Sequence, residues 1–201
     1  MRARSAGAAL PPHRRPVQPP GEDEPSSLNL AVGDLVVYGS HGIGRIEASE
    51  PADGSLPERI ILVFASGLRV TLPLARAHDM LRRLSGEPEL EEVQRTLRAD
   101  VPLSTEPWSQ RQRVAQQKLA AGGIDGLAEI VRDGVQRERQ LASGPRGRAA
   151  APSENELYRQ ARGLLAAEIA TSRGIEAEAA DAWILQQVGR GHDRRDPHPH
   201  R

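Results

Sequence analysis

The chain has 201 residues, of which 38% are hydrophobic and only 2% aromatic, room for one or two small domains but not for several large cores. Basic and acidic residues number 27 each, so the net charge is zero and bulk attraction to nucleic acid is excluded; any such site must come from local placement of charge. There is no cysteine, which excludes disulfide scaffolds, thiol nucleophiles, iron–sulfur clusters and Cys-type zinc sites, and no run of about 18 apolar residues that would span a membrane.

Met1–Ser27 is basic, rich in Ala and Pro, and expected to be a disordered tail. From Leu28 the composition changes. Asp34–Tyr38 reads as a strand, followed by the turn GSHGIG from Gly39 and an alternating segment at Ile43–Ser49. Asp53-Gly54 marks a hairpin loop. Arg59–Ala65 is apolar and β-prone, Leu68–Leu72 alternates, and Met80–Leu84 is a candidate fifth strand. Five short strands separated by turns predict a small, strongly bent sheet or barrel with a Val, Ile and Leu core.

After Gly86 the period becomes helical. Leu90, Val93 and Leu97 share a face. A Pro-bounded loop follows, and Ser109–Ala121 is predicted as a helix with Val114 and Leu119 inside, stopped by Gly122-Gly123. Ile124–Gln140 is predicted as the next helix, with Leu127, Ile130, Val131 and Val135 inward. Ser153-Glu154-Asn155-Glu156 reads as a capping box that opens a long helix carrying Leu157, Ala161, Leu164, Leu165 and Ile169. Ile175–Val188 is the last helix, with Trp183 read as packing core, and 189–201 as a polar tail. The division is a tail at 1–27, a β domain at 28–85, a helical domain at 86–188 and a tail at 189–201.

No catalytic constellation emerges. The glycine-rich Gly39–Gly44 lacks the Lys-Ser/Thr of a phosphate loop, so its glycines supply turn geometry. His41 is read as a turn-stabilising hydrogen-bonding residue, and His78-Asp79 as a surface pair. Paired carboxylates such as Glu91-Glu92 fall on solvated helix faces. Trp108 differs. It opens a helix followed by Ser109, Gln110, Arg111, Gln112 and Arg113. A flat ring beside arginines, at a helix N-terminus, is what a nucleic-acid wedge needs. A Trp stapling a helix start to its neighbour reads the same way in sequence.

The run VGDLVVYGSHGIG resembles the opening of the CarD/CdnL family of RNA-polymerase-binding regulators, shared with the polymerase-interacting domain of transcription-repair coupling factors. The matching residues are Val32, Gly33, Asp34, Val36, Val37, Tyr38, His41, Gly42 and Gly44. The resemblance continues through Leu68–Leu74, Pro107–Gly123, Gly126–Gln140 and Leu157–Ala170. The helicase motor of the coupling factors has no counterpart. The departures are Gly39 where Pro is usual, Thr71 and Gln110 where Arg is common, and Pro107 where Asn is frequent.

The resemblance implies an α+β chain: a small Tudor-like β-barrel that docks on the β-subunit lobe of RNA polymerase, then an all-α helical bundle. In this reading the bundle touches promoter DNA in the minor groove at the upstream edge of the bubble. A tryptophan there, matching Trp108, stabilises the open complex. Gln110, Arg111, Arg113 and Lys118 complete the expected DNA-facing set. A strand edge at Leu68, Arg69, Val70 and Thr71 is the expected polymerase contact, since backbone pairing tolerates sequence drift. No enzymatic activity, cofactor or metal is expected; the chain is read as a cytoplasmic monomer. The competing reading is a Tudor-type protein-interaction module whose helical part is structural only.

Overall fold

A computed structural model describes residue 28 and residues 30–143 and 152–192. The expected N-terminal tail, and the C-terminal one beyond 192, lie outside the described residues.

The β part opens with β1 (Leu35–Tyr38), joined to β2 (Gly42–Glu50) by a single 3₁₀ turn, Gly39–His41. β3 (Arg59–Phe64) and β4 (Arg69–Pro73) follow, then α1 (Leu74–Met80) and β5 (Leu81–Arg83). The strand order is β4-β3-β2-β1-β5, antiparallel throughout. In β3 the period of two sends Ile60, Leu62 and Phe64 to one face, where they meet Val36, Ile46, Leu72, Ala77 and Leu81. Burying each large aliphatic side chain stabilises the sheet by about 1.5–3 kcal/mol.

The sheet is not a closed barrel. β4 and β5 are its two ends and do not pair; α1 joins them and packs on β3, β4 and β5, so a helix stands where a closing ladder would run. This helix was not foreseen, because LARAHDM is short and follows Pro73; only its Ala77 is fully buried. Gly39 has φ +43°, which no proline adopts, so the departure at this position is matched by the backbone itself. The His41 ring stacks on Tyr38 at 5.0 Å between ring centroids, where a turn hydrogen bond was expected.

The helical part comprises α2 (Glu87–Arg98), α3 (Trp108–Ala121), α4 (Ile124–Ala142), α5 (Pro152–Arg173) and α6 (Ala177–His192). Leu90, Val93 and Leu97 of α2 join Leu127, Ile130 and Val131 of α4, Leu157, Leu165 and Ile169 of α5, and Ile184 of α6 in one core. Gly122 ends α3 in the left-handed region, φ 66°, as its sequence predicts. α5 runs from Pro152, so Ser153 lies within the helix where a cap residue was expected, and the Glu156 side chain pairs with Arg159. α6 continues to His192 instead of ending near Val188. Its last turn lies against α2, where a Cβ on Gly191 would meet the Arg98 carbonyl oxygen at 2.5 Å.

Sheet and helices meet at several points: α5 lies on β2, with Leu164 so close that a Cβ on Gly42 would come within 2.8 Å of it, and two further contacts sit beside the 3₁₀ turn and β5. A Cβ on Gly122 would meet Gly39 Cα at 2.5 Å, so both glycines are needed for that approach. Beside them, Arg82 of β5 grips Glu168 of α5 with both guanidinium nitrogens, at 2.5 and 2.7 Å, and also donates to the Gly122 carbonyl. The backbone N–H and hydroxyl of Ser85 add two more donors to Glu168, which is 2% exposed.

Candidate nucleic-acid interface and free sheet edge

Trp108 is the first residue of α3, directly after Pro107, whose φ of −55° leads into the helix. The stripe Trp108, Ala115, Leu119 follows the helical period and faces the core. Val114 lies one step off that stripe and is 46% exposed, not inside as the sequence reading had it. Trp108 itself is half-buried. Its ring meets Tyr158 of α5 edge-on, 6.5 Å between centroids, and the Arg111 guanidinium lies over it at 5.3 Å.

Arg111 is held three ways. Its Nε donates to the Glu106 carbonyl at 3.0 Å, one terminal nitrogen donates to Glu154 at 2.8 Å, and its plane covers Trp108. Glu154 is 5% exposed and is the centre of a cluster. One of its oxygens accepts from Arg111, accepts from the Tyr158 hydroxyl at 2.9 Å, and faces Arg137 Nε at 3.6 Å. Arg137 in turn donates to the Ser104 carbonyl at 2.8 Å. Burial, with the Glu154 carboxylate beside it, pushes the Tyr158 hydroxyl up to about 12.

The remaining predicted DNA-facing residues divide. Gln110 and Arg113 are exposed on the outer face of α3, flanking Val114. Lys118 is paired with Glu129 of α4. The structure thus brings Trp108 and Arg111 into one cluster, leaves Gln110 and Arg113 open to solvent, and ties Lys118 to its neighbour. Glu154, Tyr158 and Arg137 were not singled out in sequence. Glu154 and Tyr158, spaced four apart on one helix face, carried the available signal.

At the other end of the molecule, β4 is an edge strand, paired among the described residues to β3 alone. Phe64 donates to the Leu68 carbonyl and Leu74 to that of Glu58. The alternation between them, with Leu62 opposite Val70 and Ile60 opposite Leu72, leaves Arg69 and Thr71 in the wide pairs, with their N–H and C=O directed away from β3. The side chain of Arg69 reaches Glu47 on β2. Leu68 is 43% exposed at the start of this edge. Among the described residues there is no group of three or more His, Asp or Glu placed to hold a metal ion, and no helix is long and apolar enough to cross a membrane.

Comparison with known proteins finds one match on the sheet and one on the helices. Residues 30–85 match the CarD-like/TRCF RID domain, a domain of the RNA-polymerase-interacting type, and residues 92–185 match the CarD C-terminal domain. A Bacillus subtilis (strain 168) protein named "Putative transcription factor YdeB" is 26% identical over 149 residues, covering 72% of this chain and 92% of its own length. With both domains present in order, one on the sheet and one on the helices, the chain belongs to the CarD/CdnL family of transcription regulators.

Proposed function

We propose that this chain acts in the cytoplasm on transcription initiation, docking on the β lobe of RNA polymerase through β4 and touching promoter DNA at the upstream edge of the bubble through Trp108. The observation that carries the reading is the open β4 edge within a domain of polymerase-interacting type. Arg69 and Thr71 offer unpaired backbone groups there, and a lobe strand laid alongside gains hydrogen bonds regardless of side chain. Position 71 therefore contributes through its main chain, so threonine serves as well as arginine. A neutral chain makes few phosphate contacts by itself; docking on polymerase raises the local concentration so that one aromatic contact suffices.

The edge is tested with Thr71→Pro. Its N–H is not used within the sheet, so proline leaves the β3–β4 ladder intact while removing an outward donor. The full chain is expected to bind a β-lobe fragment with micromolar affinity, about −8 kcal/mol, by calorimetry, and Thr71→Pro to weaken it at least about tenfold with unchanged circular dichroism. Equal affinity of a folded Thr71→Pro variant rules out the edge.

A second reading keeps the polymerase contact and makes the helices structural only. Two observations favour it: Arg111 and Lys118 are already ion-paired, and Trp108 is half-buried. Trp108→Ala separates the two. The DNA-contacting reading expects an open-complex lifetime about tenfold shorter with a stability loss of only about 1 kcal/mol, as for half-burial of a large side chain. The structural reading expects about 3–5 kcal/mol lost and the lifetime unchanged wherever the variant is folded.

A further inference from the structure

We infer that Glu154, which sits behind Trp108 and away from solvent, is the positioning residue for the Trp108 ring, acting through Arg111 and Tyr158. The inference rests on the proposed DNA contact of Trp108 and deepens it.

The geometry is specific. Beside its packing on the helical core, the Trp108 ring in its half-exposed position meets two side chains that carry polar groups: Arg111 over it, and Tyr158 in an edge-to-face pair. Both end on the same oxygen of Glu154, at 2.8 and 2.9 Å. The carboxylate is buried, so its hold on Arg111 is not relayed through solvent. Arg137, at 3.6 Å, balances the site, so two cations share one anion and Arg111 still has a reason to stay over the ring. A wedge must be rigid before it meets a base step, because ordering a loose aromatic on contact would consume part of the binding energy. Glu154 supplies that order in advance.

A rival role for the same contact is masking: Glu154 would hold Arg111 back from a phosphate. The two roles predict opposite effects. Freeing a masked arginine strengthens DNA engagement and steepens its salt dependence. Loosening a brace weakens engagement and leaves the salt dependence unchanged.

The test uses the full chain in a Trp183→Phe background, so that Trp108 is the only tryptophan. Acrylamide quenching of Trp108 is measured for Glu154→Gln, for Arg111→Met and for the double variant. Each single variant is expected to raise the quenching constant about twofold. The double variant is expected to raise it no further, since both changes cut one linkage. A folded single variant with unchanged quenching, or additive effects in the double, overturns the inference. Should Glu154→Gln fail to fold, Arg111→Met, which keeps an apolar stem on the ring, decides the same question.

The open-complex lifetime with RNA polymerase and a promoter is then measured for Glu154→Gln beside Trp108→Ala. Glu154→Gln is expected to shorten it about three- to tenfold, the scale of the aromatic and cation–π contacts it releases, with an unchanged salt slope. A longer lifetime with a steeper salt slope supports masking and overturns the inference. A short lifetime in Trp108→Ala with a normal one in Glu154→Gln also overturns it, while the DNA contact stands. If quenching responds but neither variant changes the lifetime, the DNA-contacting reading fails and the link from Glu154 to Trp108 remains.

Discussion

Two buried glutamates sit near opposite ends of α5, about 21 Å apart along the helix axis, and each binds an arginine from elsewhere in the chain. Glu168 is closed off. Its partners are Arg82 and the backbone and hydroxyl of Ser85, and Arg82 also spends two donors on the Gly122 carbonyl. Glu154 is open-ended. Among the described residues its partners are side chains, Arg111, Tyr158 and Arg137, and two of them continue to the half-buried Trp108. A carboxylate tied to main chain fixes where sheet and helices meet. A carboxylate tied to side chains fixes how one ring is presented. The same residue type on one helix therefore serves architecture at one end and presentation at the other.

The largest expected effect breaks the architectural end. Arg82→Met leaves Glu168 buried with only Ser85 to satisfy it, and stranding a buried charge costs about 3–5 kcal/mol. For a chain of this length that lowers Tm by about 6–20 °C in calorimetry. Arg111→Met sharpens the contrast, because Arg137 still faces Glu154; the expected loss is about 1–2 kcal/mol, read in the same melts. Equal losses in the two variants would erase the distinction.

Gly122→Ala attacks the junction without touching a charge. The added Cβ falls on Gly39 Cα in a left-handed backbone, and the expected cost is about 2–3 kcal/mol by denaturant unfolding. The last effect is a pH dependence. The Tyr158 hydroxyl is raised from its ordinary value of 10.0 to about 12 in the folded chain. The folded state therefore holds its proton more tightly than the unfolded state between these values. The corresponding stability is fully present below pH 10 and is lost as pH rises towards 12. Tyr158→Phe is expected to flatten this part of the stability profile; an unchanged slope would mean that the Glu154 contact does not hold the hydroxyl.

Much of the fold could be read in the sequence because it rests on local period. Leu90, Val93 and Leu97 space a helix face, Ile60, Leu62 and Phe64 a strand face, and Gly122 a helix stop. What escaped depends on distant partners. Val114 obeys an apolar helical period as well as Ala115 does, and only the position of α4 and α5 decides which faces inward. α1 is too short to show a period, and the barrel expectation failed with it. At the candidate site Trp108 stood out by its place at a helix start. Glu154 did not, since its partner Arg111 lies 43 residues away and its own neighbours suggested a helix cap.

The open β4 edge has a cost for the free protein. Outward-facing backbone groups accept any strand laid alongside them, including β4 of a second copy. Two features restrain that self-pairing: the edge presents only Arg69 and Thr71 before Pro73 interrupts it, and Pro73 offers no N–H. The chain thus carries its own guard against aggregation at an edge that stands open among the described residues. Replacing Pro73 by a residue with an N–H removes part of that guard.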